Sequence, residues 1–299
     1  MACKLCLRDV PLRGSHIIPA FVFRWLRESS PTGHMRTSQT PNKRVQDGPT
    51  VPMLCDDCEG LFAAWEKEFA ERVFMPLHQG APEPFVYDEW GLKFAISISW
   101  RSLMWPQDGR WNHLSTEQQS AAGRAAEMWR QFLLGEPSHP GDYEQRWLPL
   151  DVMESHSAPD ISPFMNRYMT RVVVADIIRG TRTVMTYSKL CRVLVLGFID
   201  VPERRKWVGG KVHVKGGSFG GPIRYEVPEG FFDYMNSSAN AAGAALGRMS
   251  DKQSDKLTAH MLKDPESVAK SEVFRAMRKD VELSGNKAFD LKALNEDVE

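Results

Sequence analysis

Cys3-Lys4-Leu5-Cys6, Ser15-His16-Ile17-Ile18-Pro19 and Leu54-Cys55-Asp56-Asp57-Cys58-Glu59 are the stretches that decide how this chain is read. Two residues between paired cysteines let both sulfurs reach one ion from a tight turn. Two such pairs, Cys3/Cys6 and Cys55/Cys58, supply the tetrahedral thiolate set of a structural zinc, each sulfur about 2.3 Å from the metal. Four thiolates leave no open position for water, so such an ion builds structure and takes no part in chemistry. Around this frame, Gly14 to Ile18 reads as a short strand that Pro19 ends. Ala20 to Glu28 reads as a partly buried helix, and residues 29–53 as a long loop or a pair of short strands.

The second pair opens a helix. Asp56 and Asp57 suit the positive end of a helix dipole. Leu61, Phe62, Trp65, Phe69, Val73 and Phe74 recur at three- and four-residue spacing. Glu59 and Glu66 stand two turns apart and share a face. Together these elements make a module over residues 1–78.

The whole chain has 299 residues, 42% apolar and 25% charged, with 38 basic and 38 acidic side chains. That is ordinary globular composition, and its zero net charge gives no argument for a nucleic-acid partner. The first fifty residues differ. Lys4, Arg8, Arg13, Arg24, Arg27, Arg36, Lys43 and Arg44 face only Asp9, Glu28 and Asp47. Arg13, Arg24, Lys43 and Arg44 are the candidates for phosphate contact. Met-Ala-Cys-Lys lacks the apolar run of a secretory signal, and no apolar run is long enough to span a membrane. A cytoplasmic protein is expected, its paired cysteines holding metal and not disulfides. Cys191 reads as a small buried hydrophobe in a strand.

Gly80-Ala-Pro-Glu-Pro84 marks a linker, after which residues 85–299 form an α+β domain of unknown role. Helices are expected over 88–134, with Ser115 capping the second of them. Residues 137–163 hold five prolines and read as loop. Residues 166–228 read as a small, mainly antiparallel sheet that includes 211–215, and residues 237–290 as helices. The glycines of 209–221 lack the strand-then-helix setting of a phosphate loop and read as turns. No nucleophile elbow, Walker loop or dinucleotide fingerprint is present. The nine tryptophans read as core and not as platforms for stacked bases.

The order CxxC, strand-borne His, CxxC and then a polar residue resembles the HNH, or His-Me finger (ββα-metal), endonucleases. The resemblance is to the branch with a four-cysteine zinc. It covers roughly residues 3–70, and the tetrad His16-Ile17-Ile18-Pro19 is its most specific part. The resemblance implies an N-terminal zinc-bound treble-clef finger that hydrolyses phosphodiester bonds, in DNA ahead of RNA. His16 matches the general base. Glu59 matches the helix residue that binds a catalytic Mg²⁺ or Mn²⁺. Two positions depart from the family pattern. Ser15 stands where that family has Asp, and Glu59 where it has Asn or His. Glu66 could add a second carboxylate, and Asn42 or Gln46 could serve as the Asn that positions the histidine. Some nucleases of this class act in phage defence, often with an activating protein partner or as homo-oligomers. The alternative reading is a non-catalytic zinc treble clef that binds nucleic acid or a protein.

Overall fold

The computed structural model describes residues 2–105, 111–157 and 160–298. Its strands in chain order are β1 (Leu12–His16), β2 (Thr50–Cys55), β3 (Phe85–Tyr87), β4 (Gln145–Pro149), β5 (Val173–Arg179), β6 (Val184–Leu190), β7 (Val193–Asp200) and β8 (Gly217–Phe219). Its helices are α1 (Ala20–Glu28), α2 (Asp56–Phe69), α3 (Met75–His78), α4 (Glu89–Met104), α5 (Thr116–Leu134), α6 (Met165–Arg171), α7 (Glu229–Gly247), α8 (Asp251–Met261), α9 (Pro265–Lys270) and α10 (Glu272–Ser284). Helices stand with small antiparallel sheets, the α+β class that the sequence predicts.

The chain forms two compact units, and neither is contiguous in sequence. One comprises residues 1–19, 49–149 and 173–226; the other comprises 20–48, 150–172 and 227–299. The expected border at 78–85 falls inside the first unit, and α1, expected within the 1–78 module, belongs to the second.

The first unit is built on a four-stranded antiparallel sheet in the order β4-β7-β6-β5. Its central strands are continuous runs, Val-Met-Thr-Tyr-Ser-Lys-Leu and Val-Leu-Val-Leu-Gly-Phe-Ile-Asp, and all but Asp200 are buried. Helix α4 packs on this sheet and is buried from Trp90 to Leu103 except at Lys93. The contact carries polar groups that pair with one another, although Gln145 Nε2 is buried without a hydrogen-bond partner. Ser99 Oγ donates to Gln145 Oε1 at 2.7 Å, and the Ser102 and Ser188 hydroxyls lie 2.8 Å apart.

Gly197 is required where helix and sheet meet. A Cβ there would lie 2.6 Å from both Ser99 Oγ and Thr186 Oγ1. Gly197→Ala is therefore expected to cost about 1–3 kcal/mol of stability through overpacking. Urea unfolding checks this, and an unchanged midpoint would show that the helix–sheet contact yields.

Trp147 of β4 centres the aromatic core, with Phe69, Tyr87, Trp90, Phe94 and Phe219 around it at ring distances of 5.0–6.1 Å. Helix α5 starts on the expected cap. Ser115 Oγ accepts from the Gln118 amide while the Gln118 side chain accepts from the Ser115 amide, a closed capping box.

In the second unit, α10 is joined to α6 by a buried charge. Asp280 accepts from the Asn166 amide and from Arg167 Nε, both at 2.6 Å. Burial pushes the Asp280 carboxyl up, although Arg167 opposes it.

Several expectations are corrected. Strand β1 begins and ends two residues earlier than read, so His16 is its last residue. The prolines of 137–163 flank β4, which the sequence reading missed; residues 158–159 of that stretch lie outside the described part. Residues 211–215 form no strand, because only Lys211 bridges to Arg146. Cys191 is buried as expected, but in the two-residue turn between β6 and β7 and with φ +55°. That left-handed position usually calls for glycine. Its carbonyl accepts from Lys189 Nζ at 2.8 Å, and full burial brings that lysine down to about 7.

Candidate metal centre and active site

Strands β1 and β2 pair antiparallel, Leu12 opposite Cys55 and His16 opposite Thr50, with an irregularity at Arg13/Gly14. Helix α2 follows β2 without a break, because Cys55 ends the strand and serves as the helix N-cap. The first CxxC lies in a turn closed by Leu7 N–H to Cys3 O and Cys3 N–H to Arg8 O, both at 2.9 Å. A Lys4 N–H to Met53 O bond at 3.0 Å ties that turn to β2.

These connections bring the sulfurs of Cys3, Cys6, Cys55 and Cys58 within 4.8 Å of one another. The Cys6 and Cys55 sulfurs are 3.7 Å apart. A tetrahedral ion with bonds of about 2.3 Å spaces its sulfurs by about 3.8 Å, so the four could hold one structural metal such as zinc. The surrounding donors fit thiolates. The Cys55 amide donates to Cys3 Sγ at 3.3 Å, and Arg8 Nε donates to Cys6 Sγ at 3.3 Å. Burial pushes the Cys6 thiol up, but hydrogen bonds from the Arg8 side chain and amide outweigh it and bring it down to about 6. Burial and then the neighbouring thiols push Cys58 far up. Sulfurs this close cannot all ionise alone, and a divalent cation removes that penalty.

The module is also held from outside itself. Arg130 Nη1 of α5 donates to Leu5 O at 3.0 Å, and Lys4 Nζ donates to Met104 O at 3.3 Å. Both contacts link the first CxxC turn to helices far away in sequence.

Ser15 is fully buried, and its hydroxyl accepts from the Leu54 amide at 3.1 Å. It fastens β1 to β2. Pleat alternation then turns the half-buried His16 to the opposite face of the strand. Glu59, in the first turn of α2, keeps one carboxylate oxygen out of water with no hydrogen-bond partner. Such an oxygen is costly unless a cation or donor meets it.

Glu66 makes an ion pair with Arg101 of α4, Nη2 to Oε1 at 2.6 Å, close but without hydrogen-bond alignment. Arg101 is buried among apolar neighbours and lies over the Phe62 ring at 5.2 Å. Its Nη1 donates to the His16 carbonyl at 2.9 Å and its Nε to Ser97 O at 3.3 Å. One guanidinium thus joins the end of β1 to the middle of α2. The sequence reading did not single it out. The signal was there, since an arginine inside Ala-Ile-Ser-Ile-Ser-Trp-Arg-Ser-Leu needs a carboxylate and carbonyls to be buried at all.

No family model matches the chain, and no curated protein or solved structure is similar to it.

The remaining expected residues scatter. Asn42 belongs to the second unit, where its Oδ1 accepts from the Ser250 amide at 2.8 Å. Arg13 pairs with Asp56 at 2.9 Å, an exposed ion pair that contributes little. Arg24, Lys43 and Arg44 are exposed in the second unit. Among the described residues no helix is long and apolar enough to cross a membrane.

Proposed function

We propose that the first unit is a metal-dependent endonuclease centre of the HNH type, acting on DNA ahead of RNA. The observation that carries this reading is the partnerless, buried oxygen of Glu59 at the start of α2. It lies on the element that follows the paired cysteines directly, beside the strand that ends in His16. Glu59 would hold Mg²⁺ or Mn²⁺, which supplies charge stabilisation for the phosphorane-like transition state. His16 takes a proton from water as that oxygen bonds to phosphorus. One P–O bond breaks, and the leaving oxygen collects a proton from solvent. Arg101 holds His16 by its backbone and Glu66 by its side chain, so strand and helix keep their spacing.

One observation favours the second reading, a non-catalytic treble clef that binds nucleic acid or a protein. Ser15 is spent on the strand pair, where its hydroxyl accepts from the Leu54 amide, and it brings a metal no charge at the position where the family has an acid. Plasmid cleavage with Mg²⁺ and with Mn²⁺ separates the two. Wild type is expected to nick or linearise DNA, and His16→Ala to lose about 100-fold or more of that rate. Equal rates for the two proteins would end the nuclease reading.

A further inference from the structure

The second unit holds a cluster of positive charge that includes Lys43 and Arg44, two of the residues that the sequence marks for phosphate contact. Met35 and Val45 form a two-bond antiparallel bridge, with both N–H···O distances 3.0 Å. The next pair across it is Arg36 and Arg44. Like charges facing one another across strands are destabilising. Arg36 is half-buried, and both that burial and Arg44 disfavour its charged form. Among the described residues neither arginine makes an ion pair with a carboxylate, while Arg13 and Arg8, in the first unit, each have one.

The arrangement is held in place. Arg36 Nη1 donates to Pro41 O at 2.6 Å. His34 Nδ1 is 2.6 Å from Thr32 O, which leaves its Nε2 for another partner. Asn42 accepts from the Ser250 amide and Arg248 Nη2 donates to Ser38 O at 3.3 Å, so the loop between the two arginines is pinned to the junction of α7 and α8. Burial first, and then Arg44, Arg36 and His260 of α8, disfavour the charged form of His34, which places all four groups close together. Lys43 is exposed in the same loop.

We propose that Arg36 and Arg44, with His34, Lys43 and His260, form a surface that binds the phosphate backbone of a nucleic acid. An unneutralised, pre-set pair of guanidinium groups is what a phosphate contact uses. Their spread along an exposed loop suits a repeating polyanion better than a single phosphate. The surface stands on its own geometry and does not require that the first unit cleave.

The test is equilibrium binding of a short fluorescent DNA duplex, without Mg²⁺ or Mn²⁺, at several salt concentrations. Each phosphate contact contributes about 0.9 to the slope of log affinity against log salt. Arg36→Gln/Arg44→Gln is expected to lower that slope by about 1.8 and to weaken binding about tenfold or more at low salt. Arg44→Gln alone, which breaks no hydrogen bond seen here, should lower the slope by about 0.9 and guards against misfolding of the double variant. Unchanged slopes in both arginine variants would overturn the proposal, as would wild type that fails to hold DNA or prefers a phosphopeptide competitor. If wild type binds with the expected slopes but never cleaves, the nuclease reading falls and this surface remains.

Discussion

Cys58→Ser protein is expected to contain only a small fraction of the roughly one zinc per chain that wild type should carry, and to lose order across residues 3–69. Cys58 is buried in the first turn of α2. Burial first, and then the neighbouring thiols, disfavour its anion, and a cation removes that penalty. The antiparallel pair β1–β2 is short, and an isolated two-stranded ribbon is marginal in water. A closed four-sulfur site supplies apparent binding energy of order 10 kcal/mol to such modules. Elemental analysis and hydrogen exchange would check both parts. Cys191→Ser is the control, since Cys191 lies in the β6–β7 turn and should leave the metal content whole. Wild type that carries no metal, or Cys58→Ser that protects residues 3–69 as well as wild type does, would defeat the expectation.

Arg101→Met should be nearly as damaging by a different route. The methionine keeps most of the volume but removes the donors to His16 O and Ser97 O and the partner of Glu66. Breaking a buried pair from one side leaves an uncompensated charge, which typically costs about 3–5 kcal/mol. Glu66→Gln in the same background removes that charge. The double variant is therefore expected to cost clearly less than the sum of the singles, a coupling that denaturant titration reads directly. Additive losses would mean that Glu66 and Arg101 do not sense each other. Because Arg101 also fixes the end of β1, any cleavage activity should fall further in Arg101→Met than in Gly197→Ala at matched folded fraction.

The parts that the sequence disclosed are those set by local chemistry. Two CxxC turns declare a shared site through spacing alone. Ser115 states the start of α5, because an N-cap needs only the residues of the first turn. The runs 181–187 and 191–199 read as strands through their β-branched content, and they overlap the observed β6 and β7. What stayed hidden depends on distant partners. Gln145-Arg-Trp-Leu-Pro shows no alternation, and it becomes strand β4 only because β7 offers an edge to pair with. Val212-His-Val214 alternates as a strand should, yet finds a partner at one end only. Arg101 looks like an error in an apolar helix until Glu66 and the His16 carbonyl are set beside it. The opposed pair Arg36/Arg44 needs the Met35–Val45 bridge; residues 29–53 read as a long loop or a pair of short strands, and that reading carries no register.

The interleaving of the two units bears on how the chain is made. Residues 20–48 leave the ribosome early, but the stretches that complete their unit begin only at 150 and 227. About 180 residues separate 48 from 227, and at about 5–20 residues per second synthesis of that interval takes on the order of ten to thirty seconds. Val22, Phe23 and Leu26, buried in the folded protein, emerge well before the segments that complete their unit. Helix α1 thus waits on the nascent chain for the rest of its unit, and a chain stopped anywhere before residue 227 leaves that unit incomplete.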